Sequence, residues 1–370
     1  MSEVLTSSNT LRMVILSIET SCDETAVSVV EANGDLNSLD FKLLGSAVNS
    51  QIEIHKQYGG VFPTLAKREH QKNLPFVLEE ALKRAGLGLD KVDLIAVTVG
   101  PGLEPALWTG INFAEELGKK LNIPVIGANH MEGHIASVLF KTDEFSISNS
   151  QFSNKKIEFP ALALLISGGH TELVLLKSWV EKEKIGETQD DAVGEAFDKV
   201  ARMLGLPYPG GPEISALAEK ARNSNIEIRN IKFPRPMLKS GDLNFSFSGL
   251  KTAVLYYIKK IGELEEKEKM EIAREFEDSV IETLISKTKK ALDKYLPKTL
   301  IIGGGVIANK ALRENFLKLK ENYLETEILI PEKSLTTDNA TMIAAAGYIE
   351  YLRSGKLNSK LRASGNLNIN

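Results

Sequence analysis

A single cysteine, Cys22, stands in 370 residues. That excludes an internal disulfide framework and fits a reducing compartment. No apolar run approaches the roughly 20 residues of a membrane-spanning helix. The opening stretch, Met1 to Arg12, is polar and carries Glu3. It lacks the basic-then-apolar order of a secretory signal and the repeated arginines of a mitochondrial presequence. The expected location is the cytoplasm, with no membrane partner. Charge of either sign is also not in excess: 45 Lys and Arg against 49 Asp and Glu give a net charge of −4. Nothing in that balance attracts nucleic acid globally. Contact with RNA would have to rest on partner proteins or on local groups such as Lys119–Lys120, Lys155–Lys156 and the Arg229, Lys232, Arg235, Lys239 series. The default reading of each group is solvated surface.

What is present is ordinary for a globular chain, 43% apolar and 25% charged residues, at a length that exceeds one hydrophobic core and predicts two domains. Met13 to Ile18 and Ala26 to Val30 are strand-like runs separated by a polar turn, and so predict a hairpin. Leu74, Val77, Leu78, Ala81 and Leu82 have helical spacing. Leu94 to Val99 predicts a buried strand ending in Gly100-Pro101-Gly102, followed by a helix to about Leu121. Pro124 to Ala128 predicts another strand, with Asn129 placed to cap a helix from His130. Thr142 to Lys156, rich in Ser and Asn, is expected to be a surface loop near a domain boundary. A second strand–turn–strand follows, Ala161 to Ile166, Ser167-Gly168-Gly169 and Thr171 to Leu176, repeating the opening plan. Phe197, Val200, Ala201 and Leu204 mark one helix, and Ile272, Phe276, Val280 and Leu284 a longer one. Leu300 to Ile302 is a buried strand running into Gly303-Gly304-Gly305 and a helix from about Asn309. The tail, Asn358 to Asn370, is expected to be disordered. Strand and helix alternate from Leu74 to the helix at His130, which argues for an α/β layer architecture.

Five histidines occur: His55, His70, His130, His134 and His170. His130 and His134 lie four apart on a predicted helix, so both imidazoles can face one divalent ion, given a carboxylate as third ligand. Two unrelated polar histidines on one helix remain the alternative at this point. The pair is not the zincin pattern, because Met131 rather than Glu132 follows the first histidine. Ser167-Gly168-Gly169 and Gly303-Gly304-Gly305 can present backbone N–H groups to a phosphate, the second of them before a helix N-terminus; tight turns alone account for them equally well. Asp23 and Glu24 can hold metal or move protons, or simply be solvated. Pro209-Gly210-Gly211-Pro212 is a rigid turn.

The order of these features resembles the actin, Hsp70 and sugar-kinase superfamily, and the fuller motifs resemble one family within it. Ile18–Thr25 (IETSCDET), His55–Gly60 (HKQYGG), Gly100–Leu103 (GPGL), His130–His134 (HMEGH), Leu164–Leu173 (LLISGGHTEL), Gly194–Pro212 (GEAFDKVARMLGLPYPGGP), Phe245–Ala253 (FSFSGLKTA), Gly303–Asn309 (GGGVIAN) and Thr336–Ala344 (TTDNATMIA) together are similar to the TsaD-type tRNA N6-adenosine threonylcarbamoyltransferases, bacterial branch. Thr64, where that family usually has Glu, and the stretch Leu103 to Trp108 depart from its pattern.

The resemblance implies an α/β fold of two lobes with a nucleotide cleft between them, one lobe from residues 1–138 and 335–370, completed by a C-terminal helix, and the other from 139–334. It implies transfer of a threonylcarbamoyl group from threonylcarbamoyl-AMP to N6 of the adenosine beside the anticodon, in tRNAs reading codons that begin with A. By the same resemblance His130, His134 and Asp338 hold one divalent metal ion, iron(II), with zinc(II) as the alternative. Leu165, Ile166, Ser167, Gly168 and Gly169 line the phosphate and carbamoyl region, and Asp198, Gly211 and Asn309 hold the ribose and base. Asp23 and Glu24 are the candidate catalytic carboxylates. A TsaB-like paralogue and a TsaE-like ATPase are the implied partners. The rival readings are a kinase or ATPase of the same superfamily, a metallopeptidase and a non-catalytic subunit. A peptidase has no use for the glycine-rich turns, and a kinase has no reason to place two imidazoles beside its nucleotide.

Overall fold

The computed structural model describes residues 12–140, 156–224, 231–355 and 360–369. The expected loop at Thr142 to Lys156 therefore lies, Lys156 apart, outside the described residues, as do Lys155 and Arg229 of the basic groups. The chain divides into two units, Met1–Asn49 with Lys67–Asn149 and Asn339–Leu367, and Ser50–Ala66 with Ser150–Asp338 and Asn368–Asn370. The segment Ser50–Ala66 groups with the second unit, although sequence analysis placed it in the 1–138 lobe.

In the first unit the expected hairpin forms: β1 (Arg12–Glu19) and β2 (Glu24–Asn33) pair antiparallel. With β3 (Asp40–Ser50), β4 (Leu94–Gly100) and β5 (Val125–Asn129) they make a sheet ordered β3-β2-β1-β4-β5, in which β1, β4 and β5 run parallel. Alternating β-branched and apolar residues on these strands bury Ile15, Leu16, Ile18, Val27, Val29, Ile95 and Val97 completely. Helix α2 (Pro63–Ala85) contributes Leu74, Val77 and Ala81 to that core, and α3 (Glu104–Leu121) adds Ile111 and Ala114. The segment 360–367 is a correction to the expected disorder of the tail. Leu361 is 4% exposed within the same core, Ser364 N–H donates to Val99 O at 2.8 Å, and Gly102 N–H donates to Gly365 O at 3.2 Å. One buried leucine and backbone bonds along β4 outweigh the polar composition that suggested a free end.

The second unit repeats the plan. After α1 (Ile52–Lys56), strands β6 (Ala161–Ile166), β7 (Thr171–Leu176), β8 (Lys182–Glu187), β9 (Thr299–Gly303) and β10 (Glu327–Leu329) form a sheet ordered β10-β9-β6-β7-β8. As in the first sheet, the opening hairpin is antiparallel and its first strand pairs in parallel with the fourth. Helices α5 (Val193–Met203), α6 (Gly210–Asn223), α7 (Ser248–Ile261), α8 (Glu266–Tyr295) and α9 (Lys310–Leu317) surround it. The predicted apolar faces meet there: Phe197 of α5 stacks edge-on against Phe276 of α8 at 5.1 Å between ring centroids, above Leu300 and Ile302 of β9.

Helix α10 (Ala340–Ser354) completes the first unit and is buried from Ala340 to Ile349. It packs on β1, β2, β4 and β5. Its small residues allow the close approach: a Cβ on Gly347 would lie 2.5 Å from Ala96 Cβ. Its first turn is pinned by Ser17 Oγ, which donates to Ala340 O at 2.6 Å, and by the Ser28–Thr341 hydroxyl pair at 3.0 Å. Among the described residues no helix is long and apolar enough to cross a membrane.

Candidate metal centre and glycine-rich turns

Helix α4 (His130–Ala136) starts where expected, because Asn129 Oδ1 accepts from the N–H of Met131 at 2.8 Å and of Glu132 at 3.2 Å. Residues four apart then share a face, and His130 and His134 stand edge to face with ring centroids 4.8 Å apart. His134 is fully buried and His130 is 6% exposed. Asp338 directly precedes Asn339, whose side chain caps α10 by accepting from Met342 N–H at 3.0 Å. The pinned start of α10 thereby fixes Asp338 in place, and α10 also packs closely on α4, where a Cβ on Gly133 would sit 3.0 Å from Met342 Cγ. Ligand atoms of His130, His134 and Asp338 all lie within 4.8 Å of one another.

Two imidazoles and one carboxylate suit a borderline divalent ion and leave further coordination positions open. The surroundings fit as well. Glu19, at the buried end of β1, lies 2.9 Å from His130 Nδ1 and accepts from Thr98 Oγ1 at 2.7 Å, an outer carboxylate of the kind that metal-bound histidines commonly have. Sequence reasoning assigned Glu19 no role; its signal was a carboxylate directly following the apolar run Met13–Ile18. Glu132, the residue a peptidase would need, faces Arg353 of α10 at 3.5 Å instead.

The glycine-rich turns gather in the second unit at the carboxyl ends of β6 and β9, the end at which open α/β sheets bind ligands. Ser167–Gly169 closes the β6–β7 hairpin, with Ser167 Oγ accepting from His170 N–H at 3.1 Å. The first turn of α5 lies against it, with Gly194 N–H donating to Ser167 O at 3.2 Å. Gly304, at φ +95°, abuts Ile166: a Cβ there would lie 2.3 Å from Ile166 O, so only glycine fits. Beside Gly168, Gly169, Gly211 and Gly305 the space is open.

A family model described as TsaD, tRNA N6-adenosine threonylcarbamoyltransferase, matches residues 42–345. The chain belongs to this family. Relatives bearing that name include one from Thermosipho africanus, 44% identical over 96% of this chain and 100% of its own length. Another, from Bacillus subtilis, is 44% identical over 92% of this chain and 91% of its own. Among solved structures, HypF from T. kodakarensis superposes with a TM-score of 0.56 at 14% identity. The match takes in 93% of this chain and 49% of HypF, so this chain spans about half of that protein, and the likeness speaks for the fold alone.

Several of the residues assigned by resemblance to this tRNA N6-adenosine threonylcarbamoyltransferase family occupy settings the sequence did not reveal. Leu165 and Ile166 are completely buried, so any contact of theirs with a ligand is through backbone. Asp198 Oδ1 accepts from Gly210 N–H at 2.7 Å and holds the Pro209–Pro212 turn and the start of α6. Both N–H donors of Asn309 are engaged inside the unit, with Glu277 Oε1 at 2.5 Å and Ser215 Oγ at 3.2 Å, while its Oδ1 caps α9 through Leu312 N–H at 2.9 Å. Asp23 is 6% exposed rather than solvated, and Glu24 is half-buried. The turn carrying them is tied to fully buried His70, which bonds Thr25 Oγ1 at 2.8 Å and Cys22 O at 3.0 Å. His55, also fully buried, bonds Gln51 Oε1 at 3.1 Å and Phe62 N–H at 3.3 Å, a structural role. Of the basic series, Arg235 is committed to Glu275 at 2.6 Å and Glu282 at 2.7 Å, whereas Lys232 and Lys239 are exposed. Lys251, within Phe245–Ala253, and Lys199 of α5 flank Asp191 at 2.5 and 2.8 Å. Burial pushes the Asp191 carboxyl up, but the two lysines outweigh it and hold it below the usual aspartate range.

Proposed function

We propose that this family member transfers the threonylcarbamoyl group of threonylcarbamoyl-AMP to the N6 amine of the adenosine beside the anticodon, in tRNAs reading codons that begin with A. Family membership supports the transfer to tRNA adenosine, and the His130, His134 and Asp338 cluster is the observation that supports a metal-assisted acyl transfer rather than a phosphoryl transfer. An iron(II) ion, or zinc(II) in its place, would supply Lewis acidity toward the acyl carbonyl. The adenosine N6 lone pair is delocalised into the ring, so positioning carries much of the acceleration. The backbone N–H groups of Ser167–Gly169, with the positive end of α5 behind them, would receive the single phosphate of the adenylate. The Asp198 carboxylate would accept from the ribose hydroxyls beside the open space at Gly211. Asn309 would act by anchoring the far end of the Gly303–Gly305 loop. N6 bonds to the carbamoyl carbon, the bond from that carbon to the phosphate oxygen breaks, AMP leaves, and Asp23 or Glu24 takes the N6 proton.

The reaction belongs in the cytoplasm. The acidic balance of the chain gives little counterion-release energy for tRNA, so a TsaB-like paralogue and a TsaE-like ATPase would assist it. The test is to incubate tRNA and threonylcarbamoyl-AMP with the protein and such partners, then to analyse anticodon-loop nucleosides by mass spectrometry beside metal content. Product should form with wild type and be lost, together with the metal, in the His130→Ala/His134→Ala variant. Full metal content in that variant would refute the ligand set. Steady phosphate release from Mg-ATP by the isolated chain without nucleoside modification would favour an ATPase.

A further inference from the structure

Glu19 is completely buried at the end of β1, and three polar groups converge on its carboxylate. Ser21 N–H donates to Oε1, while Thr98 Oγ1 at 2.7 Å and His130 Nδ1 at 2.9 Å both meet Oε2. Ser21 Oγ lies 3.2 Å from the same imidazole nitrogen. An ionised carboxylate can only accept. A neutral His130 imidazole facing it therefore carries its proton on Nδ1 and its lone pair on Nε2.

We infer that Glu19 is a positioning residue that locks His130 in the Nδ1–H tautomer, leaving Nε2 as the ligand atom that joins His134 and Asp338. The inference rests on the metal reading above and adds to it the device that makes His130 competent before any ion arrives. Glutamine at this position shows why charge rather than shape matters. The backbone N–H of Ser21 can be met only by oxygen, so the amide oxygen of Glu19→Gln stays at the Oε1 place. Its NH2 group then takes the Oε2 place and donates to Nδ1, which must become the lone-pair nitrogen. The imidazole proton moves to Nε2 and blocks ligation, with no change in side-chain volume. The opposite amide orientation would set NH2 against the Ser21 N–H and leave two buried donors without an acceptor.

The experiment compares apo wild type, Glu19→Gln and Thr98→Val. It records imidazole 15N–1H correlation spectra of the apo proteins and Co2+ affinity by chelator competition. Wild type should show His130 protonated on Nδ1. Glu19→Gln should show the proton on Nε2 of His130 with His134 unchanged, and Co2+ affinity lower by about 10–100-fold. Thr98→Val disturbs the same buried network without touching the His130 contact, and should keep both the wild-type tautomer and most of the affinity. Wild-type His130 protonated on Nε2, or a Glu19→Gln protein with unchanged tautomer and affinity, would overturn the inference, as would equal loss of Co2+ in both variants. Should wild type bind no Co2+, the metal reading fails while its spectrum still decides what Glu19 does; the wild-type spectrum also decides if Glu19→Gln does not fold.

Discussion

Asn309 offers a sharp test of whether a residue grouped with the nucleotide site acts on the ligand or on the fold. Its amide joins three partners: the N-terminus of α9 through Leu312 N–H, Ser215 Oγ, and the fully buried Glu277 carboxylate at 2.5 Å. Asn309→Ala removes a helix cap, costing about 1 kcal/mol, and a hydrogen bond to a buried charge, costing about 1.5–3 kcal/mol. The sum is about 2.5–4 kcal/mol. For a folding unit of this size each kcal/mol lowers Tm by about 2–4 °C, so a fall of roughly 5–16 °C is expected. Asn309→Asp is the more telling change. It keeps the cap oxygen but sets a second carboxylate against Glu277, whose partner Arg222 already serves Asp278 as well. An insufficiently compensated buried charge costs about 3–5 kcal/mol, so the near-isosteric variant should be at least as unstable as Asn309→Ala. Crowding raises the pKa of one of the two carboxyls in the folded state. The deficit of Asn309→Asp is thus present at neutral pH and shrinks as pH falls toward about 5, while that of Asn309→Ala does not. Calorimetric melting of the three proteins from pH 5 to 8 reads this out, with adenylate binding measured at a temperature where all are folded. Variants that melt like wild type but bind an adenylate mimic poorly would refute the assignment and make Asn309 a direct ligand contact.

Gly347→Ala should separate metal content from the ligands themselves. The added Cβ falls 2.5 Å from Ala96 Cβ, so α10 must lift off the sheet at a cost of about 1–3 kcal/mol; metal analysis should show weaker retention although His130, His134 and Asp338 are intact, and unchanged Tm and metal content would contradict the packing argument. Asp190 accepts from Ser246 Oγ, Ser248 Oγ and the N–H groups of Phe247 and Ser248 at the start of α7. Burial raises its pKa, but those bonds together outweigh it and leave the carboxyl below its ordinary value of 3.8. A depressed acid stabilises fully above the unfolded pKa and loses that contribution as pH falls through the folded one. Asp190→Ala should therefore melt lower than wild type at pH 7, with a gap that narrows below about pH 4; a gap constant from pH 7 to 3 would show that the charge contributes nothing.

Apolar runs were enough to place β1, β2, β4, β6, β7 and β9, and helical spacing to place α2, α5 and α8, because a buried strand or helix face is carried in the local sequence itself. The cap at Asn129 and the pairing of His130 with His134 were equally legible, being local consequences of helix geometry. The edge strands β8 and β10 were not, since one is polar and the other only three residues long, and their hydrogen-bond partners rather than their composition make them strands. Tertiary structure alone decided the order of strands in each sheet, and with it the full repetition of the plan that the two hairpins only hinted at. It also decided which carboxylate belongs to which histidine. Asp338 and Glu19 are 208 and 111 positions from His130, and no spacing rule reaches so far. Their meeting depends on α10 being pinned by Ser17 and Ser28 and on β1 ending beneath α4. The same long-range packing gave Asp198 its bond to Gly210 N–H, Asn309 its bonds to Glu277 and Ser215, and Arg235 its ion pairs with Glu275 and Glu282, none of which spacing announces. A side chain's chemistry is written in the sequence; whether its donors are spent on the fold or left for a ligand depends on what the fold brings alongside.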